Sequence, residues 1–405
     1  MPRPPNILWV VTTQWRGQAC GYAGDINART PCLDRFAAKS VNYAQAITPH
    51  PFGPFARAAL LTGVPSPANG VRDYFDPLPA KARTIAHDLN ERGYITGFFG
   101  KWHLGRRNPT AQLVGEAHAK IIVSPANRGG FSFWEGFESG FLLNDPWLHG
   151  SGLPQPEQFK GYQSEVLCAR ATAWLHEQAA PWFAMVSLEP PHPPYNVPAN
   201  GVVPAASREI LLAPNVPRGG EVETKARREL AGYYAHIEAT DRAIGRLLTT
   251  IEAAPSKEAP TIIVFTSVHG DMHGAHGHFR KGWPYEESVR IPLLVEGMSG
   301  PARICTETAS LLDLRNWTVA WAEGSWPMVE SRYAAISMPS VVALPEQCER
   351  TWRGVRSATR KLILQADGSP WLFFDLENDP FEMLNHAVDP HWQAELETWR
   401  SRIVH

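Results

Sequence analysis

The chain has 405 residues, 44% hydrophobic and 19% charged, with a formal net charge of -2. A single core seldom outgrows roughly 250–300 residues, so the length predicts two packed units. The near-balanced charge leaves no electrostatic footprint for DNA or RNA, and a nucleic-acid partner is not expected.

The opening Met1-Pro2-Arg3-Pro4-Pro5 leads into Asn6-Ile7-Leu8-Trp9-Val10-Val11. This apolar run is too short for a secretion signal or a membrane span, so a cytoplasmic protein with no membrane partner is expected. Its β-branched and aromatic content reads as a central strand of a parallel sheet. Similar runs recur at Ile95-Thr96-Gly97-Phe98-Phe99, Trp182-Phe183-Ala184-Met185-Val186-Ser187 and Thr261-Ile262-Ile263-Val264-Phe265-Thr266. Each is followed at once by polar or basic residues. Helical spacing over 84–92, 163–178 and 224–253 places helices between them. Strand-helix alternation predicts a doubly wound, mostly parallel α/β domain, whose functional loops gather at the carboxyl ends of the strands.

Residues 106–160, rich in Gly, Pro, Asn and Trp, read as long loops of the kind that cover a site. Past residue 300 short strands take over, at Lys361-Leu362-Ile363-Leu364 and Trp371-Leu372-Phe373-Phe374 around the turn Asp367-Gly368, followed by a terminal helix over 390–403. The expected organisation is an α/β domain over 1–300 and a small α+β lobe, with an antiparallel sheet and a terminal helix, over 301–405. Cys20, Cys32, Cys168, Cys305 and Cys348 have no CxxC spacing and predict free thiols. The run His269 to His278 carries His269, His273, His276 and His278 and raises the question of zinc, but the spacing fits no zinc template. It reads as a loop of solvent-facing histidines. Most of the 15 tryptophans read as core, with Trp134 or Trp147 as a lesser option for an aromatic wall.

Several motifs occur in a telling order. They are Pro5-Asn6-Ile7-Leu8, Cys20-Gly21-Tyr22, Thr30-Pro31-Cys32-Leu33-Asp34-Arg35, Arg57-Ala58-Ala59-Leu60-Leu61-Thr62-Gly63 and Gly100-Lys101-Trp102-His103-Leu104-Gly105. Further on come Pro191-His192-Pro193-Pro194-Tyr195, Tyr285-Glu286-Glu287-Ser288 and Asp375-Leu376-Glu377-Asn378-Asp379-Pro380. Together they resemble the sulfatase branch of the alkaline-phosphatase superfamily, which includes arylsulfatases and phosphonate monoester hydrolases. The resemblance implies the alkaline-phosphatase-like fold. It also implies a nucleophile made by oxidising a Cys or Ser to formylglycine in a C/S-x-P-x-R context, beside a divalent cation.

This chain departs from that pattern. Counting back from Arg57 puts Gly53 at the nucleophile position, or Phe52 if one residue is inserted, and neither can become formylglycine. Where the family places two acidic or amide metal ligands after the first strand, and an Asp with a neighbouring His or Asn after a later one, this chain has Thr13-Gln14 and Val268-His269. Calcium or magnesium needs several anionic oxygens, so calcium, magnesium, manganese and formylglycine are all expected to be absent.

Arg57, Lys101, His103, His192, His269 and Lys281 persist where the resemblance puts them around a sulfate. Such a basic pocket favours an anionic ligand, whether sulfated, phosphorylated or carboxylated. The expected catalytic groups are His103 and His192 as acid/base, with Lys101. Arg57, Lys281, His269, Gln14 and Thr13 are expected to hold the anion. Without a nucleophile the reading is non-hydrolytic acid/base or group-transfer chemistry. Two other readings stay open: a pseudo-sulfatase serving as a binding or scaffold protein, and an atypical ester hydrolase using Thr12 or Thr13.

Overall fold

A computed structural model of the chain describes residues 3–178, 181–253, 259–297, 300–327, 329 and 332–403. Met1 and Pro2 lie outside them. In chain order the strands are β1 (Asn6–Thr12), β2 (Val41–Ile47), β3 (Ile95–Lys101), β4 (Phe133–Phe137), β5 (Trp147–Gly150), β6 (Glu157–Gln158), β7 (Trp182–Ser187), β8 (Thr261–Ser267), β9 (Leu293–Glu296), β10 (Arg303–Ser310), β11 (Tyr333–Met338), β12 (Trp352–Ser357), β13 (Arg360–Gln365) and β14 (Pro370–Asp375). The α-helices are α1 (Pro31–Ala37), α2 (Gly53–Thr62), α3 (Ile85–Asn90), α4 (Glu116–Ala119), α5 (Gln163–His176), α6 (Glu221–Ala253), α7 (Glu286–Val289), α8 (Asp313–Ala322) and α9 (Gln393–Arg400).

Among the described residues the first ten strands form one sheet in the order β10-β2-β9-β8-β1-β7-β3-β4-β5-β6. β1 runs parallel to both β7 and β8, and β3 runs parallel to β7. A central parallel strand is covered on both faces, which is why β1 is apolar throughout. Its alternate side chains nevertheless enter different layers. Ile7, Trp9 and Val11 pack with Leu60 of α2, Leu89 of α3 and Leu314 of α8. Leu8 and Val10 pack with Leu167 of α5 and Ile237 and Ile244 of α6.

The stretch 106–160 is not a run of long loops. It contains α4 and the strands β4, β5 and β6, which extend the sheet past β3. These strands are short and punctuated by glycine, so no period built up in the sequence. Gly136 marks the place where a Cβ would lie 2.2 Å from Gly100 O on β3. β10 and α8 likewise belong to the large sheet and its helical layer, since β10 pairs in parallel with β2. The small antiparallel sheet, in the order β11-β12-β13-β14, therefore starts later than residue 301. β10 carries Arg303, Thr306 and Glu307 on an exposed edge, which hid its membership. The terminal helix is α9 preceded by a 3₁₀ turn over Pro390–Trp392, where Asp389 caps by accepting from His391 N. No helix among the described residues is long and apolar enough to cross a membrane, and all five cysteines are free.

The small sheet is tied to the large one by a buried ion cluster. Glu286 of α7 accepts from Arg356 Nη2 at 2.7 Å and from Lys361 Nζ at 3.1 Å, and Lys361 also reaches Glu382 at 2.5 Å. Removing one member of such a cluster strands a charge in the interior. The loop entering α7 is thereby held in place, and that loop carries Lys281.

Gly100 sits where β3 turns into the pocket, with φ +104° and a Cβ that would fall 2.2 Å from Ser187 O. Gly100→Ala should therefore cost at least about 1–3 kcal/mol of backbone strain. Urea unfolding followed by circular dichroism measures this, and an unchanged midpoint would contradict the close packing of β3 on β7.

A candidate anion pocket at the carboxyl ends of the strands

Four adjacent parallel strands end on one side of the sheet and deliver the polar residues that follow them. β1 ends at Thr13-Gln14, β3 at Lys101 with His103 beyond, β7 at Ser187 with Glu189 and His192 beyond, and β8 at Val268-His269. Gln14 and His103 have positive φ values of 66° and 58°, which is rare for residues with a Cβ and is held there by the surrounding contacts. The amino end of α2 faces the same place. This fully buried helix starts at Gly53-Pro54, and its positive dipole end favours an anion.

These elements enclose a cavity of about 790 Å³ lined by Thr13, Gly53, Lys101, His103, His192, His269 and Lys281, among others. Gly53 lies beside two of the pocket histidines. A Cβ on Gly53 would lie 2.9 Å from His103 Nδ1 and 4.0 Å from His269 Nε2. Phe52 contributes its ring to an apolar wall completed by Tyr74 and Phe141. Trp134 is not part of that wall, being stacked on Phe98 in the core. Trp147 is also elsewhere, beneath the Lys120 ammonium at 3.9 Å.

The cations differ in how free they are. Lys101 Nζ donates to Glu189 Oε1 at 2.6 Å, both side chains being fully buried, and it lies 4.7 Å from the centre of the Phe141 ring. Burial lowers the Lys101 pKa to about 8, against the raising effect of Glu189. Glu189 was invisible as a partner in the sequence because it lies 88 positions away. Arg57 does not reach the cavity wall. It donates to Lys101 O at 3.0 Å, Ser187 Oγ at 2.6 Å and Thr13 Oγ1 at 2.7 Å, so it braces the strand ends from behind. Burial lowers its pKa to about 10.

Lys281 faces the cavity directly. Its Nζ donates to Gln14 Oε1 at 2.6 Å and lies 3.2 Å from His192 Nε2. Its backbone position is fixed on two sides: Lys281 N donates to Gln347 Oε1 at 3.2 Å, and Gly282 N donates to Pro51 O at 2.9 Å. Burial lowers the Lys281 pKa to about 7, with Asp271 opposing and Lys101 and Arg280 reinforcing. Asp271 accepts from Tyr195 OH at 2.7 Å and from Gln14 Nε2. Burial raises its pKa, but His273, Arg280, the Tyr195 hydroxyl and Lys281 outweigh that and hold it down at about 2. Gln14 therefore spans Lys281 and Asp271 behind the cavity surface instead of lining it.

The three pocket histidines have tautomers fixed by their neighbours. A guanidinium only donates, so His103 Nε2 accepts from Arg107 Nη1 at 2.7 Å and the ring proton sits on Nδ1. His269 Nδ1 donates to Gly270 O at 2.9 Å, which leaves Nε2 with a lone pair. His192 Nδ1 donates to Pro193 O at 2.8 Å and Nε2 accepts from Lys281. Burial first, and then the neighbouring cation (Arg107 for His103, Lys281 for the other two), holds all three pKa values well below the ordinary imidazole value. This redistributes the roles expected from the sequence. His103 presents a donor to the cavity, His192 is engaged by Lys281, and His269 presents the bare acceptor.

Two uses of the remaining groups can be judged from their chemistry. A calcium or magnesium ion at the strand ends would need anionic oxygens. Thr13 Oγ1 donates to Leu188 O at 3.0 Å while accepting from Arg57, Gln14 Oε1 already holds an ammonium, and Val268 has no donor atom. This donor set does not fit a hard dication. The histidines at 269–278 do not converge on a zinc ion, nor do they all face solvent. His273 is fully buried between Tyr195 and Tyr233, and His278 stacks on Trp283 at 3.7 Å. His276 lies close to Glu287 and Glu382. There Asn215 Nδ2 already donates to Glu287 Oε1 and approaches His276 Nε2, and Lys361 pairs with Glu382.

The chain is similar to several known proteins. The family model described as Sulfatase matches residues 5–323. An ulvan-active sulfatase of Formosa agariphila is 32% identical, covering 97% of this chain and 79% of its own length. An arylsulfatase of Clostridium perfringens is 25% identical, covering 99% of this chain and 94% of its own. A crystal structure described as the sulfatase yidJ from Bacteroides fragilis superposes with a TM-score of 0.83 at 23% identity, covering 99% of this chain and 94% of that one, and it supports the fold alone. On the family match and the ulvan-active relative, the chain belongs to the sulfatase family, with the alkaline-phosphatase-like fold.

Proposed function

We propose that this sulfatase-family protein binds a sulfated small molecule in a pocket that works without formylglycine and without a divalent cation, and that its chemistry is non-hydrolytic acid/base or group transfer. The observation that carries the reading is the Lys281 ammonium on Gln14 Oε1 at 2.6 Å. It puts a protein-borne positive charge among the groups that the family resemblance assigns to a metal. Two relatives are named for sulfate esters, of ulvan and of aryl alcohols, which supports a sulfated ligand over a phosphorylated or carboxylated one. Thr13 supports no nucleophilic role, since its hydroxyl is committed to Leu188 O and Arg57.

In this reading the anion is held by Lys281 and by the amino end of α2, both donors aimed at developing or resident negative charge. Lys101 contributes field more than contact, because Glu189 pairs with it. His269 Nε2 is the group that can receive a proton.

The test uses 4-nitrophenyl sulfate with the purified protein, with and without EDTA. The expected result is saturable binding, competed by inorganic sulfate, with no sustained release of 4-nitrophenol and no effect of EDTA. Sustained release abolished by EDTA would overturn the proposal.

A pH profile follows from Lys281, which faces Gln14 and His192 in contact and Asp271, Lys101, Arg280 and Glu189 through space. Its pKa near 7 is lowered relative to the free side chain, so the ammonium is present below pH 7 and is lost as pH rises through it. Affinity for inorganic sulfate, whose charge is constant in this range, should fall by about tenfold or more from pH 6.5 to 8.5. Lys281→Met should weaken binding at pH 6.5 and flatten the profile. Titration calorimetry reads both, and a flat wild-type profile would remove Lys281 from the anion site.

A further inference from the structure

Above Gly53 the pocket contains two unsatisfied groups of opposite sense. His103 Nδ1 and His269 Nε2 have no hydrogen-bond partner, although His103 is 4% exposed and His269 fully buried. The tautomers make the first a donor, because Arg107 occupies the other ring nitrogen, and the second an acceptor, because Gly270 O takes the proton side of its ring. Both nitrogens border the space that a Cβ on Gly53 would enter, at 2.9 Å and 4.0 Å from that point. An unpaired buried polar atom is unfavourable, and these two face one hollow, so a small polar group able to satisfy both has a place there.

A hydroxyl is the group that fits, because one oxygen can accept from His103 and donate to His269 at once. A cation would be repelled by the His103 N–H, and a fully ionised oxyanion could not donate to His269. We propose that the hollow over Gly53 is a binding socket for an external hydroxyl, from water or from an alcohol group of a small molecule, received as acceptor of His103 Nδ1–H and donor to His269 Nε2. In relatives the family resemblance puts a hydroxyl of the protein's own hydrated formylglycine at this position; in this chain the oxygen is borrowed. The socket depends on the proposed function only for what the hydroxyl does next, and its existence is tested separately.

Neutron diffraction, or X-ray data beyond about 1.2 Å, from the full chain crystallised without alcohols at pH 7 should show one oxygen within hydrogen-bond distance of both nitrogens. Hydrogen should sit on His103 Nδ1 and His269 Nδ1 and be absent from both Nε2 atoms. Soaking with ethane-1,2-diol separates the sources. Density extending from that oxygen into the cavity marks an alcohol site, and an isolated oxygen that persists marks a water site. In solution, ¹⁵N imidazole spectra should show the same tautomers. Gly53→Ala, whose methyl enters the hollow, should shift the His103 and His269 resonances and leave His192 in place. An empty hollow, an oxygen touching only one imidazole, a metal ion there, or unmoved resonances in Gly53→Ala would overturn the socket. If the wild-type oxygen is present but inorganic sulfate does not bind, the ligand class proposed above fails and the socket stands.

Discussion

The pocket is organised around a lysine ammonium on an amide oxygen, Lys281 on Gln14. A buried charge must be satisfied where it sits, because stripping one partner from a buried ionic contact costs several kcal/mol. Gln14 meets that need on one side, and on the other its Nε2 carries the influence to Asp271, so a neutral side chain couples a cation to a carboxylate. The main chain around Lys281 is pinned to Pro51, two residues from Gly53, and to Gln347 next to the small lobe. The ion cluster of Glu286, Arg356, Lys361 and Glu382 holds the same loop from below. In the proposed reading, positive charge at this site is supplied by the polypeptide itself.

The other groups follow from that placement. Lys101 keeps its charge only against Glu189, and Arg57 spreads its donors over three neutral oxygens. Burial, reinforced by the surrounding cations, keeps the imidazoles neutral; His103 and His269 each show the cavity the nitrogen left over by the outer partner, while Lys281 takes His192 Nε2. The sheet makes this rigid: Lys101 and Ser187 end, and Thr13 and Val268 directly follow, strands whose registers are locked through the core. Preorganised donors of this kind cost little reorganisation when charge arrives.

Much of this was legible in the sequence. The strands β1, β3, β7 and β8 declared themselves through continuous apolar runs, and the motif residues Lys101, His103, His192, His269 and Lys281 do meet in one cavity. The partners that decide what those residues can do were not legible. Glu189, Asp271 and Tyr195 act across folds of the chain that carry no periodic signal, and Arg107, four positions from His103, lies in the stretch that read as loop. Arg57 and Gln14 read as ligand contacts because a sequence shows which residues are near a site but not which way they face. The strands within 106–160 were missed because short, glycine-interrupted strands hold too few residues to establish an alternation, and β10 was assigned to the wrong lobe because an edge strand can be polar. The aromatic wall fell to Phe52, Tyr74 and Phe141, since Trp134 was already claimed by the core.

The central claim is that the protein's own ammonium stands in for a bound dication. Elemental analysis of the purified full chain, after dialysis against buffer containing calcium, magnesium and manganese, tests it most directly. Far less than one equivalent of any of the three is expected. One tightly held equivalent, lost on substitution of Gln14 or His269, would contradict it.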